Sequence, residues 1–275
     1  MSIVFAAITP HPPLIIPGVG KKEDINEVKN TINAMETLSE KIAESGPDTI
    51  IIISPHAMIH QDKFAVYGAP KFYGDFGHFG APDINFSFNN NLDIAEKIVE
   101  ASKENGINAF LFGDPDNDYH ELDHGEMVPL YYLTKKLSDN INVIPIAYSY
   151  LDRLQHFGFG EIINEIASLP EFIDNRIAVI ASGDLSHKLL QKSSDSYNPG
   201  KDFDNELVEL VKENKTRDIL EMDQGLIDEA GECGYRSILI LLGVLDKLNY
   251  SAEVLSYEGP FGVGYLVANF DLTEE

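Results

Sequence analysis

Basic residues are scarce in this chain: 20 Lys and Arg stand against 45 Asp and Glu in 275 residues, a formal charge of −25. A surface of that sign repels nucleic-acid phosphate and anionic membranes, so neither is an expected partner; it favours solubility and cations. The acidic residues are spread over helix-like segments and read as a solvated surface, not a tail. Cysteine is nearly absent. With Cys233 alone, no intrachain disulfide can form, which suits a reducing compartment. No apolar run reaches the length of a membrane span. No basic segment precedes the N-terminal apolar run, which Pro10, Pro12 and Pro13 interrupt, so the expectation is a cytoplasmic chain without a signal peptide. Neither the dinucleotide fingerprint nor the Walker pattern of phosphate-cradling glycines occurs. Asp184, Ser186 and His187 do not make a serine-hydrolase elbow either, because Gly-x-Ser-x-Gly is missing.

What is present is a repeated unit. Residues 2–11 and 48–56 are each a run of apolar, largely β-branched residues, as in a buried strand. Each ends at a hydroxyl residue and a proline, Thr9-Pro10 and Ser54-Pro55, and then presents a histidine, His11 or His56. Proline cannot continue an interior ladder, so each histidine should stand just beyond a strand end. A lone histidine there would more simply cap the strand and satisfy loop backbone. Two copies, with prolines on both sides of His11, favour a preorganised metal ligand.

The rest of the chain alternates. Helical periodicity covers 23–45, 92–104, 125–138 (amphipathic), 160–168, 202–213, 216–221 and 234–248. Strands are expected at 63–68, 107–112, 141–147, 176–182, 251–257 and 263–270, with Pro145 marking an edge or bulge. Residues 69–90, dense in Gly, Pro, Asn and Phe, read as a long functional loop or lid, and 191–200 as a polar, mobile stretch. No composition shift marks a linker. The expectation is one α/β domain over 1–275, with a central, mostly parallel sheet flanked by helices.

Ligands of open α/β sheets bind outside the carboxyl ends of the strands. His11, His56 and His187 all follow expected parallel strands, and Glu258 ends another strand near the C-terminus. Packed among Gly, Pro and aromatic residues, the Glu258 carboxylate is a turn residue or is paired with something positive. Two histidines and one carboxylate make the facial triad of non-haem Fe(II) enzymes, with positions open for substrate and O2. Zinc with the same ligands and a bound water is the competing chemistry, that of a hydrolase. His187 reads as a third nitrogen ligand, as an acid/base group, or as a histidine held by Asp184 or Ser186. His124, beside Asp123, reads as a second proton-transfer group or as a helix-start histidine. Cys233 precedes an apolar helix, where a thiolate would ligate or react; a small buried residue at a tight turn is the plainer reading. Arg236 could bind a substrate carboxylate or offset acidic charge. Two His pairs four residues apart, His56/His60 and His120/His124, lack the His-Glu-x-x-His pattern of zinc peptidases. His60, His78, His120 and His156 read as surface or loop residues.

Taken in order, Thr9-Pro-His11-Pro-Pro, Ser54-Pro-His56, Asp123-His124-Gly, Ser182-Gly-Asp-Leu-Ser-His187 and the Tyr257-Glu258 turn resemble the catalytic B subunit of class III extradiol ring-cleavage dioxygenases and the related Memo-like proteins. Glu232-Cys233-Gly234 is similar to a Cys-Gly at the same point in Memo-like relatives. The resemblance implies that His11, His56 and Glu258 bind Fe(II). It implies that His187 takes a proton from a catechol or aminophenol, and that His124 orients substrate or oxygen. Asp184, Cys233 and Arg236 are the candidate substrate-binding residues. A homo-oligomer or a small partner subunit is the implied assembly. A Memo-like metal-binding protein without ring cleavage is the alternative within the same resemblance.

Overall fold

The computed structural model describes residues 2–56, 58–113, 119–191 and 197–273. The two β-branched runs form strands, as their packing preference requires: β1 is Ile3–Thr9, and β2, after helices α1 (Lys22–Glu27) and α2 (Lys29–Ser45), is Thr49–Ser54. Then come β3 (Phe64–Tyr67), β4 (Lys71–Phe76), β5 (Ala81–Asn89), α3 (Leu92–Glu104), β6 (Ala109–Phe112) and β7 (His120–Glu121). The middle of the chain supplies α4 (His124–Leu133), β8 (Asn142–Ala147), α5 (Arg153–Ala167) and β9 (Ile177–Ser182). Helices α6 (Pro199–Lys212), α7 (Thr216–Glu221), α8 (Gln224–Ala230) and α9 (Tyr235–Leu245) precede the hairpin β10 (Tyr250–Glu258) and β11 (Tyr265–Leu272).

The centre of the sheet is parallel, in the order β1-β9-β2-β8. The β10–β11 hairpin joins β1 antiparallel at one side. At the other, β8 meets β3 and β5, with β6, β4 and β7 beyond. Strand alternation divides the core between two faces. Ile51 and Ile53 pack with Ile98 of α3, Phe159 of α5 and Leu239 of α9. Ile50 and Ile52 pack with Leu38 of α2 and Val128 of α4 on the opposite face. All four isoleucines are fully buried, each contributing about 1.5–3 kcal/mol of burial. The fold is the expected α/β arrangement, a central sheet covered by helices.

Several local expectations are corrected. The segment 69–90 is no open loop: β4 and β5 pair antiparallel, with Phe72 and Phe76 buried between exposed neighbours. Its glycines and prolines mask a two-residue alternation. The helix over 23–45 breaks at Val28, whose φ of −112° and ψ of 25° leave the helical region. Helix α4 is not amphipathic and ends at Leu133; Gly125–Leu130 are buried on all sides. Helix α5 starts at Arg153, seven residues before its expected start, because Asp152 caps it through Gln155 N–H at 2.9 Å. That helix carries His156, which is fully buried and not a surface residue. Pro145 stands in a gap: on the side away from β2, β8 meets β5 at Asn142 and β3 at Ile146 and Ala147. Of the polar stretch 191–200, residues 192–196 lie outside the described residues, and Pro199 begins α6. Residues 114–118 of the polar loop before α4 also lie outside them. Among the described residues, no helix is long and apolar enough to cross a membrane.

Candidate metal centre

Strands β1 and β2 flank β9, and all three run parallel, so their carboxyl ends open at one edge. All three end in a hydroxyl residue: Thr9, Ser54 and Ser182. The prolines after the first two turn the chain off the ladder and bring His11 and His56 together edge-on, their rings at 80°, Nε2 to Nε2 at 3.0 Å. His124, the first residue of α4, completes the group. Its ring centroid lies 4.1 Å from that of His56 and 5.6 Å from that of His11. One nitrogen from each of His11, His56 and His124 lies within 4.8 Å of the others. The start of α4 is fixed by a capping box. Asp123 accepts from Gly125 N–H at 2.6 Å, and Glu126 accepts from Asp123 N–H at 3.0 Å.

Burial first, then the charges of His56, His124 and His187, holds the His11 pKa well below the ordinary imidazole value. Burial and then His56 lower that of His124. Neutral imidazoles keep the lone pairs that a metal needs. The donor set therefore fits a divalent cation: three imidazole nitrogens converging at a strand edge, the pattern of a non-haem metal site with positions left open.

Two more side chains border the cluster. Cys233 Sγ lies 3.8 Å from His11 Nε2 and 3.6 Å from His187 Nε2. Burial, then the Asp184 charge, pushes the Cys233 thiol far above its usual range, so it is a neutral thiol here and not the thiolate of a helix N-terminus. His187 stands solvent-open at the rim, its pKa lowered by partial desolvation and then by His56. Asp184 accepts from His11 N–H at 3.0 Å, and burial pushes its carboxyl up to about 7. It holds the backbone of His11 in place.

The remaining expected site residues fall elsewhere. Glu258 is not brought to the histidines. Strand β10 is separated from β1 by β11, about 10 Å at the usual strand spacing. Its carboxylate accepts from Thr31 N–H at 2.7 Å, Thr31 O–H at 2.6 Å and Asn30 Nδ2 at 3.1 Å. Helix α2 has no capping side chain of its own, and Glu258 supplies the acceptor and the negative charge that its N-terminus favours. Arg236 lies 5.9 and 5.5 Å from the Tyr148 and Tyr150 rings, 3.8 Å from Glu232, and lines a separate cleft with Arg153 and Leu239. His120 sits in β7 against the rings of Tyr67 and Phe112, so the His120/His124 spacing crosses a strand and a helix start. His60 bridges to Ser149, and His78 is exposed. Unforeseen from sequence were Ser182, whose Oγ faces His11 Nδ1 at 3.1 Å, and Gly125. A signal for Ser182 existed: it ends its strand as Thr9 and Ser54 end theirs.

Residues 5–268 match the family profile described as the catalytic LigB subunit of aromatic ring-opening dioxygenase. The chain belongs to the LigB family. His11, His56 and His124 all lie within the residues that the family profile matches. LigB-like relatives include a Clostridium acetobutylicum protein, 35% identical over 276 residues that cover 98% of this chain and 58% of that protein. The chain thus spans little more than half the length of that relative. An Escherichia coli 3,4-dihydroxyphenylacetate 2,3-dioxygenase is 23% identical over 83% of this chain and 84% of its own. A 2-aminophenol 1,6-dioxygenase alpha subunit from a Pseudomonas species is 24% identical over 99% and 100%. The LigB fold also matches a crystal structure of an uncharacterized Escherichia coli K12 protein, with a TM-score of 0.63 and 15% identity over 97% and 99% of the two chains.

Proposed function

We propose that this LigB-family chain, acting as one unit over residues 1–275, opens a catechol- or aminophenol-type ring with Fe(II) and O2. The observation that carries the reading is the cluster of His11, His56 and His124, with the ring-opening family as its context. Those three histidines hold the metal, His124 taking the place the sequence assigned to Glu258. When bound, ferrous iron supplies open positions that gather the aromatic oxygens and O2 and pass electron density between them. The protein's own work is proton handling and orientation. His187, neutral at the rim, takes the proton of a ring hydroxyl at Nε2 and returns one as the ring opens. Asp184 fixes the His11 backbone, and Cys233 closes the side of the site between His11 and His187. Names of two relatives, a dihydroxyphenyl and an aminophenol dioxygenase, favour these two substrate classes.

Anaerobic iron loading followed by catechols and 2-aminophenols should give O2 uptake and a yellow product. A sample that stays colourless across that panel overturns the reading. His11→Ala and His56→Ala should lose metal, whereas His187→Ala should keep metal and lose turnover. A second reading is a zinc site without ring cleavage. It is favoured by the Cys233 sulfur beside His11, since a bound zinc would displace the thiol proton and take the resulting thiolate together with imidazole. Zinc retained on purification with no O2 consumption would establish it.

A further inference from the structure

Helix α4 carries a proline in its interior, Pro129. Proline has no N–H, so the carbonyl four residues earlier, that of Gly125, receives no helical hydrogen bond, and the ring crowds it outward. Gly125 is buried, and a buried carbonyl needs a donor. Ser182, at the end of β9, provides it: its Oγ donates to Gly125 O at 2.6 Å. The direction is fixed, because a carbonyl oxygen only accepts. A serine hydroxyl has one proton to give. Toward His11 Nδ1, 3.1 Å away, Ser182 Oγ must therefore accept. The proton of neutral His11 then sits on Nδ1, and Nε2 keeps its lone pair. Among the described residues, the nearest carboxylate oxygen to Nε2, Asp184 Oδ2, is 3.9 Å away, outside hydrogen-bond reach.

We propose that Pro129, Gly125 and Ser182 form a relay that locks His11 as its Nδ1–H tautomer and presents Nε2 to the metal. The proposal rests on the reading of the histidine cluster as a metal site. Ser182 is a positioning residue, acting through His11. The same hydroxyl ties His11 to the residue after His124, so one side chain sets two of the three nitrogen donors relative to each other. Partners of this kind, behind the ligands, typically change metal affinity by about 10–100-fold.

The tautomer can be read without metal. In ¹⁵N spectra of histidine-labelled, metal-free protein, with His11 assigned by the His11→Asn variant, the proton is expected on Nδ1; a proton on Nε2 overturns the lock. Ser182→Ala should mix the two tautomers and weaken Zn(II) or Co(II) binding about 10–100-fold, measured by competition with a chromophoric chelator. An affinity within about twofold of wild type overturns the proposal. Should Ser182→Ala fail to fold, the wild-type tautomer decides alone. Pro129→Ala returns an N–H to Gly125 O and should weaken metal binding less than Ser182→Ala does; an unchanged affinity removes the proline from the relay. Wild-type protein with the Nδ1 proton but no divalent-metal binding sinks the metal reading and leaves the lock standing.

Discussion

Gly125 is pressed against His56: a Cβ at position 125 would lie 3.2 Å from His56 Cδ2 and inside contact distance of Ser54 Oγ. Glycine there lets the first turn of α4 reach the end of β2, which puts His124 beside His56. Gly125→Ala gains about 1 kcal/mol of helix propensity yet should force the two histidines apart. The expected outcome is unchanged helix content by circular dichroism, with metal affinity reduced at least about tenfold, since displacements near 1 Å at such sites cost orders of magnitude. Wild-type affinity in this variant would show that α4 has room the structure does not show.

Glu258→Gln separates a helix cap from a ligand. Because the carboxylate is engaged by Asn30 and Thr31, the variant should keep its full complement of metal. It should lose about 1 kcal/mol of stability in urea titration. Loss of the metal would return Glu258 to the coordination set.

Asp204 gives a stability term that runs against the usual acid denaturation. Burial pushes its carboxyl up to about 6, although it accepts from Ser186 N–H at 2.8 Å and Tyr257 O–H at 2.7 Å. The unfolded chain releases that proton near pH 3.9. Between these values the folded state binds the extra proton, so stability present below about pH 4 is lost as pH rises through about 6. Asp204→Asn should match wild type at pH 4 and exceed it by about 3 kcal/mol at pH 7.5, as urea midpoints at both pH values will show.

His156 has the opposite sign. Burial lowers its pKa to about 4 and outweighs the opposite pull of two carbonyls that face its ring nitrogens, Asp152 O at 2.8 Å and Ser149 O at 3.0 Å. The unfolded imidazole protonates near pH 6.5, so this contribution is lost as pH falls from about 6.5 to about 4. His156→Gln should flatten the thermal-stability profile in that window. A variant with the wild-type slope would place the acid sensitivity elsewhere.

The sequence made the strand ends legible because hydroxyl, proline and histidine punctuate an apolar run, and a parallel sheet sends such ends to one edge. His11 and His56 meet for that reason. Glu258 misled because chain order places it at a strand end but says nothing of neighbours: the β10–β11 hairpin adds β10 outside β11, away from the histidines. His124 reads as a proton-transfer group or a helix-start histidine because sequence does not show how closely α4 approaches β2; the cue is the glycine after it. Residues that usually break strands hide the hairpin β4–β5, and α4 reads as amphipathic because the sequence does not show that α2 packs against it.

The run Ile50–Ile53 has a consequence for how the chain reaches this structure. Both faces of β2 are equally apolar, so a one-residue slip would exchange Ile50 for Ile51 with almost no change in buried area. The tie is broken at the polar start of the strand. There Asp48 accepts from Arg176 N–H at 2.8 Å through its side chain and from Asn142 N–H at 2.9 Å through its carbonyl. Since β1, β9, β2 and β8 come from distant parts of the chain, their pairing pays loop-closure entropy before it gains contacts and forms slowly. Refolding should then stall in out-of-register sheets that are compact and well buried but do not bring His11 and His56 together. Asp48, which touches none of the histidines, would govern the rate at which working metal sites appear.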